Sequence, residues 1–114
     1  MEDRIERRAY LVELFDIYGE LLTDKQQQMF DLYYQDDFSL GEIAQTCAVS
    51  RQAVFDIIKR TEHTLTDYEQ KLHLAEKSRR ERKIFERLEE LAAERTEEEP
   101  WPEVRWLISQ LEQA

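Results

Sequence analysis

Polar side chains suited to contacts with nucleic acid follow one another near the middle of this 114-residue chain. Arginine can bond guanine bidentately and glutamine can bond adenine in the same way, each pair giving about 1–3 kcal/mol of discrimination between bases. A serine at a helix start can hold a phosphate together with the free N–H groups there, and later basic residues suit backbone phosphates. The candidate nucleic-acid-binding residues are Ser50, Arg51, Gln52, Phe55, Lys59 and Arg60.

Two short amphipathic helices joined by a tight turn are predicted over residues 39–60. Ser39 and Glu42 have the spacing of a capping box, and Ser50 is expected to cap the second helix. The buried stripe of that helix is predicted to be Val54, Ile57 and Ile58. The arrangement predicts a helix-turn-helix whose second helix brings its N-terminal residues to the base edges of the major groove. The alternative is a plain helical hairpin with a solvated polar face.

The turn between these helices, Cys47 to Val49, lacks glycine. Such turns often need a residue with left-handed φ, which glycine adopts at no steric cost. With Ala48 in that place, the turn either avoids positive φ or stores about 1 kcal/mol of strain. Cys47 is the single cysteine, so neither an internal disulfide nor a thiolate metal cluster is expected. We expect it to be buried and unreactive.

Helices are also predicted before the turn. Apolar residues at helical spacing predict a helix over residues 2–18 that ends near Gly19. Thr23 and Gln26 form a second capping-box signal, and the helix that they begin should run to about Gln35. These elements must position the helix-turn-helix and cover its apolar side.

The chain stays helical in pattern for more than thirty residues after Arg60, without glycine or proline. One long helix or two in close succession are predicted there. A last helix carries the stripe Val104, Leu107, Ile108 and Leu111. We therefore expect a helical domain, 1–61, and a C-terminal helical extension, 62–114, packed on the core or on a second copy of the chain. Trp101 and Trp106 either anchor such a homodimer contact or pack in the core.

Composition favours an all-α protein, because only two glycines and two prolines interrupt the chain and 37% of its residues are charged. The predicted fold is a helix-turn-helix core without a wing, an N-terminal helix and a C-terminal helical extension. The net charge is -10, and no long segment is basic, so non-specific DNA affinity should be weak. The basic stretch Lys77 to Lys83 either meets phosphates or is a solvated face paired with nearby glutamates.

An enzyme is not expected. His63 and His73 have no serine or cysteine nucleophile placed to join them, and a chain with two glycines cannot form a phosphate-cradling loop. Asp36 and Asp37 are interpreted as a solvated turn, so no metal or cofactor is expected. The charged N-terminus lacks the apolar core of a signal peptide, and no apolar run reaches the ~20 residues of a membrane span. A cytoplasmic location without membrane contact is therefore expected.

Residues 21–60 resemble the DNA-binding fourth region of bacterial sigma factors. That region also pairs a Leu-Thr helix start with a Ser-Leu-x-Glu-Ile-Ala helix and a Ser-Arg-x-x-Val recognition helix. Four blocks together resemble the YlxM family of small bacterial helix-turn-helix proteins, over most of the chain. They are LFDIYGELLTDKQ (14–26), YYQDDFSLGEIA (33–44), SRQAVFDIIKR (50–60) and YEQKL (68–72).

The resemblance implies an all-helical fold, no catalytic residues, and a gene beside those of the signal recognition particle. It thus implies a regulatory or accessory role in that pathway. Two functions remain open from the sequence. One is a DNA-binding regulator that reads sequence through Arg51 and Gln52. The other is an accessory protein that binds the signal recognition particle RNA or its GTPase, for which an acidic surface suits a basic partner.

Overall fold

The computed structural model describes residues 2–93 and 101–113. Within these ranges the chain forms six α-helices and no strand, so the predicted all-α class is confirmed and these residues form no β-wing. A short 3-10 turn, Gly19–Leu21, follows the first helix. The helices are α1 (Glu2–Tyr18), α2 (Asp24–Tyr34), α3 (Leu40–Cys47), α4 (Arg51–Leu72), α5 (Leu74–Ala93) and α6 (Trp101–Gln113).

The chain divides into two compact units, one up to His73 and the other from Leu74 on. This division comes later than the boundary expected after residue 61, because α4 continues through that position. The buried side of α4 extends to Leu65 and Glu69, and Glu69 accepts a 2.7 Å hydrogen bond from the Tyr18 hydroxyl of α1. The second half of α4 is therefore part of the first unit.

The core beneath the helix-turn-helix is built from α2, α3 and α4. Its centre is Met29, Ile43, Val54 and Ile58, all at most 3% exposed. Burial of each such side chain contributes about 1.5–3 kcal/mol. Ile57, expected in the buried stripe, is only partly buried at the edge of this cluster. Because Val54 and Ile58 anchor α4 in this core, the orientation of its exposed side chains is fixed.

Helix starts in this unit are fixed by side-chain caps. In α2, Thr23 Oγ1 accepts from the Gln26 N–H at 3.2 Å, and the Thr23 N–H donates to Gln26 Oε1 at 3.1 Å. Ser39 and Glu42 make the same reciprocal pair at the start of α3, with both bonds at 3.1 Å. Both predicted capping boxes are confirmed, and they set where α2 and α3 begin.

The turn between α3 and α4 uses a left-handed alanine. Ala48 has φ 57° and ψ 44°, and the N–H groups of Ala48 and Val49 both bond the Ala44 carbonyl. The strained alternative of the sequence prediction is therefore correct. Cys47 is the last residue of α3 and is half-buried against the core, because it faces the edge of the cluster rather than its centre.

Helix α1 lies against α4 and continues the core of the first unit. Leu11, Leu14 and Tyr18 are at most 1% exposed. The ring of Phe15 stacks on that of Phe30 in α2, with centroids 4.5 Å apart. These contacts fix the rotation of α1 and so decide which of its polar residues face the rest of the unit.

The second unit is a pair of helices joined by a bidentate ion pair. Arg87 of α5 donates from Nε and Nη2 to the two carboxylate oxygens of Glu103 in α6, at 2.7 and 3.1 Å. Leu107 is buried, whereas Ile108 is 45% exposed. The buried stripe of α6 is thus narrower than the apolar stripe predicted from the sequence. The bidentate pair and Leu107 together hold α6 against α5.

Both tryptophans of α6 lie largely outside its buried side. Trp101 is 54% exposed and Trp106 is 60% exposed. The core-packing alternative for them is therefore wrong. In the basic stretch of α5, Lys77 Nζ lies 3.9 Å from Glu81 Oε1, which is the i,i+4 pairing expected for a solvated face.

Candidate nucleic-acid interface

The outer side of α4 carries the residues that the sequence singled out. Val54 and Ile58 hold the opposite side of the helix in the core. Gln52, Asp56 and Lys59 are consequently turned outward, whereas Arg51 is exposed because it is the first residue of the helix. All six candidate residues are exposed, namely Ser50, Arg51, Gln52, Phe55, Lys59 and Arg60.

Ser50 is the N-cap of α4, as predicted. Its Oγ accepts a 3.0 Å hydrogen bond from the backbone N–H of Ala53. Because a hydroxyl also has one proton to donate, Ser50 can cap the helix and donate to an acidic oxygen at the same time. The N-terminus of α4 adds its own partial positive charge. This end of the helix is chemically suited to a phosphate.

Arg51 and Gln52 lie on the first turn of α4, beside a shallow depression of about 520 Å³ that Leu40 and Phe55 also line. Gln52 Nε2 donates a 3.0 Å hydrogen bond to Oδ1 of Asp56. The carboxylate of Asp56 thus lies on the same open side as the candidate DNA contacts. Asp56 was not among the candidate residues predicted from the sequence.

Lys59 is held by two contacts on the same side of α4. Its Nζ lies 5.7 Å from the centre of the Phe55 ring, a cation–π distance. Nζ also lies 3.4 Å from Oε1 of Glu62. These contacts orient Lys59 along the open side, behind Phe55 and Gln52. They leave 54% of its side chain exposed.

Arg60 lies apart from the other five candidates. Successive residues of a helix are turned by about 100°, so Arg60 points away from Lys59. It lines a small depression of about 270 Å³ with Lys25, Gln26 and Thr23 of the α2 start. Arg60 and Lys25 therefore form a small basic patch next to the start of α2, on one flank of the open side of α4.

The flank towards α1 is also basic, and its residues were not among the candidates predicted from the sequence. Arg4, Arg7 and Arg8 line a cleft with Lys59. Their i, i+3, i+4 spacing in the RIERR segment places them on one side of a helix, which was a usable signal. What the spacing could not give was that this side of α1 lies beside α4.

Glu62 lies at the inner wall of this cleft and is only 5% exposed. The Tyr34 hydroxyl donates a 2.7 Å hydrogen bond to its Oε2. Burial raises the pKa of Tyr34 far above its ordinary value, and the hydrogen bond to Glu62 raises it further. Tyr34 is therefore a permanent hydrogen-bond donor to a buried carboxylate.

Two further observations concern metal ions and membranes. Among residues 2–93 and 101–113, no three histidine, cysteine, aspartate or glutamate side chains are grouped as a metal site. None of the helices in that part of the chain is both long and apolar enough to cross a membrane.

Comparison with known proteins places this geometry in a family. A family model described as "UPF0122: Putative helix-turn-helix protein, YlxM / p13 like" matches residues 5–103. The chain belongs to this family. The match runs from α1 into the start of α6 and includes the whole helix-turn-helix. The description names a helix-turn-helix motif and no enzymatic activity.

Individual relatives agree with that assignment. The UPF0122 protein YlxM of Bacillus subtilis (strain 168) is 50% identical over 108 residues, which cover 95% of this chain and 96% of the relative. A UPF0122 protein of Bacillus pumilus (strain SAFR-032) is 46% identical over 108 residues, with coverage of 95% and 96%. One from Anoxybacillus flavithermus (strain DSM 21510 / WK1) is 52% identical over 91 residues, with coverage of 80% and 83%. The resemblance to the YlxM family drawn from four sequence blocks is thus confirmed.

Proposed function

We propose that the protein is a DNA-binding regulator whose α4 enters the major groove with Ser50, Arg51 and Gln52 leading. The observation that carries this proposal is the division of α4 into two sides. Val54 and Ile58 are buried, while Ser50, Arg51 and Gln52, which carry donors suited to phosphates and base edges, are exposed at the start of the helix. A recognition helix needs this division, because its outer side must meet the base edges while its inner side stays fixed.

The positions of the basic residues give further support. Lys59 and the arginines of α1 lie on one flank of the open side of α4, and Arg60 with Lys25 lies on the other. Phosphate backbones border both sides of a major groove, and phosphate contacts set the position of a protein on the duplex. The chain thus collects positive charge beside α4 despite a net charge of -10.

Arg51 is the residue to which we assign the main base contact. It lies on the first turn of α4 and is exposed. No hydrogen bond or ion pair occupies its guanidinium within the described ranges. A free, planar guanidinium at this position matches the two acceptors of guanine in the major groove. Gln52, which shares its amide with Asp56, is assigned a weaker contact.

Selection of bound duplexes from a random pool tests this proposal. Wild-type protein at micromolar concentration and about 50 mM salt should enrich a short motif, because low salt favours phosphate contacts. A Gln52→Ala variant should enrich a motif that is degenerate at one position. A wild-type pool that stays random after repeated rounds would contradict sequence reading.

A second candidate function is an accessory role in the signal recognition particle pathway, through its RNA or its GTPase. The net charge of -10 favours this candidate, since an acidic surface attracts a basic protein partner. Calorimetry with the purified RNA and GTPase separates the two functions. Heat with the GTPase that persists in an Arg51→Ala variant would favour the accessory role. An absence of heat with both the RNA and the GTPase would exclude the accessory role. Either role is exercised in the cytoplasm.

A homodimer through the C-terminal helices also stays a proposal. Phe85, Trp106 and Ile108 are each at least 45% exposed in the second unit. A second copy would bury such side chains, and tryptophan is a frequent anchor of interfaces. Light scattering should then give twice the monomer mass of 13.8 kDa, and Trp106→Ala should return the mass to that of a monomer. A monomeric wild type at high concentration would refute the dimer.

A further inference from the structure

A cleft of about 530 Å³ lies beside the start of α1 and is lined mainly by basic and aromatic side chains. Arg4, Arg7 and Arg8 enter it from α1, and Lys59 enters it from α4. Its other polar lining comes from Tyr33, Tyr34 and Glu62. Four cationic groups thus share one cleft with a single carboxylate, in a chain whose net charge is -10.

The carboxylate in the cleft does not cancel its cations. Glu62 is directed inward, and its Oε2 accepts the Tyr34 hydroxyl at 2.7 Å. Its Oε1 is approached by Lys59 Nζ at 3.4 Å and by Arg7 Nη2 at 3.9 Å. Both separations are long for charge-assisted hydrogen bonds, which are usually 2.7–2.9 Å. The two cations converge near one oxygen while most of their donors stay open to a ligand.

The remaining cations of the cleft play different parts. Arg8 is fixed, because its Nη2 donates to the Tyr34 carbonyl at 2.6 Å and to Asp37 Oδ1 at 2.6 Å. Arg4 makes no hydrogen bond or ion pair with any described residue. Arg4 and Arg7 are both exposed. The cleft therefore combines one anchored guanidinium, two open ones and an oriented ammonium.

The cleft is continuous with the open side of α4. Lys59 lines the cleft, and its ammonium also contacts the Phe55 ring. Phe55 in turn borders the depression next to Arg51 and Gln52. With a rise of 1.5 Å per residue, Lys59 lies about 12 Å along α4 from Arg51. The cleft thus adjoins the part of α4 that the proposed function assigns to a duplex.

We propose that this cleft is a second DNA-contact site, in which Arg4, Arg7 and Lys59 hold a backbone phosphate of the duplex that α4 reads. This inference rests on the proposed DNA-binding function and extends the interface onto α1. Guanidinium groups bind phosphate through paired N–H donors, and the fixed Arg8 and buried Glu62 position the others. The contact adds affinity without base preference, because a phosphate carries no sequence information.

The test uses the full chain and single-charge variants. Arg4→Ala and Arg7→Ala each remove one exposed cation from the cleft. Lys71→Ala is the matched control, since it removes an exposed cation from α4 about 18 Å beyond Lys59 along the helix. Circular dichroism should show equal helix content for all variants. Binding is measured by fluorescence anisotropy on a selected duplex and on a random duplex, from 50 to 300 mM salt.

We expect each cleft variant to bind both duplexes roughly five- to tenfold more weakly at 0.1 M salt, because one counterion fewer is released. The slope of log affinity against log salt should become less negative by about 0.9 for each variant. The ratio of affinities for the two duplexes should not change. The Lys71→Ala control should stay close to the wild type. Equal behaviour of the cleft variants and this control would overturn the proposal.

Titration with inorganic pyrophosphate shows whether the cleft binds a free phosphate compound or the backbone of a duplex. In nuclear magnetic resonance spectra, the Nε–Hε signals of Arg4 and Arg7 should shift when a duplex is added. Millimolar pyrophosphate should reverse these shifts by competing with the duplex for the cleft. Shifts with pyrophosphate but none with a duplex would assign the cleft to a free phosphate compound and overturn the proposal. If Arg7→Ala weakens duplex binding while Arg51→Ala leaves base preference unchanged, the phosphate contact in the cleft is supported and base recognition through Arg51 is rejected. A wild type that binds no duplex overturns both.

Discussion

Gln52 and Asp56 are joined by a 3.0 Å hydrogen bond, from Nε2 to Oδ1, one turn apart on the exposed side of α4. The pair has two effects on a helix that approaches DNA. It occupies one of the donors with which Gln52 would read adenine. It also holds a negative charge where phosphates and electronegative base edges come closest. Under the proposed function, the pair should weaken the contact between α4 and a duplex.

Removal of the charge of Asp56 should strengthen DNA binding. We expect Asp56→Asn to raise duplex affinity by roughly three- to tenfold at 0.1 M salt, because it removes one repulsive charge beside the proposed contact and keeps an acceptor for Gln52. Anisotropy titrations on a selected duplex measure the change. Asp67→Asn serves as the control, since this exposed aspartate pairs with Lys71 farther along α4. Unchanged or weaker binding by Asp56→Asn would place α4 away from the duplex.

Replacement of Ala48 by glycine should stabilise the first unit. Ala48 has φ 57°, which costs about 1–2 kcal/mol for a residue with a Cβ and little for glycine. Part of this gain is lost, since glycine has more freedom in the unfolded chain. We expect Ala48→Gly to raise the unfolding free energy by about 0.5–1 kcal/mol in urea titrations. The control, Ala9→Gly in the exposed interior of α1, should lower it by about 1 kcal/mol.

The cap of α3 makes stability depend on pH. The backbone N–H of Ser39, and then its side chain, hold the pKa of Glu42 below its ordinary value of 4.5. The unfolded chain thus binds the proton more tightly, so this contribution is fully present above pH 4.5 and lost as pH falls through the folded pKa. Glu42→Gln should lower stability at pH 7 and change it little near pH 3. Equal differences at both pH values in urea titrations would exclude a role for the charge.

Tyr34 should matter for stability through its hydroxyl. Tyr34→Phe leaves the 5% exposed carboxylate of Glu62 without its 2.7 Å donor. An unsatisfied buried polar group costs about 1–3 kcal/mol, so we expect a loss of that size in urea titrations. Tyr33→Phe is the matched control, since no hydrogen bond of the Tyr33 hydroxyl is found in the described residues. A loss shared by both variants would indicate ring packing rather than the bond to Glu62.

Local features of the fold followed from the sequence where short-range chemistry decides them. Capping boxes depend on residues three apart, so Thr23 with Gln26 and Ser39 with Glu42 could be identified from spacing alone. Burial of Val54 and Ile58 followed from helical periodicity. The left-handed turn could be reduced to two alternatives, and the intrinsic preference of alanine favours the one with negative φ, which the structure does not adopt. The left-handed conformation lets the N–H groups of Ala48 and Val49 both bond the Ala44 carbonyl.

The composition of the candidate interface was harder to predict, because it depends on how the helices pack. Arg60 is adjacent to Lys59 in sequence, yet it belongs to the α2 flank, since neighbouring helix positions diverge by about 100°. The arginines of α1 are about fifty residues away from Lys59 in sequence and reach it only through the packing of α1 on α4. Long-range contacts of this kind leave no local pattern in the chain.

The most direct test of the central claim is the base preference of an Arg51→Ala variant. Anisotropy titrations at 0.1 M salt compare a duplex selected by the wild type with the same duplex changed at single base pairs. If Arg51 reads guanine, the variant should lose about 1–3 kcal/mol of discrimination at one base pair, which is roughly five- to 150-fold, and retain its affinity for random DNA. Equal preference of wild type and variant at every position would contradict recognition by α4.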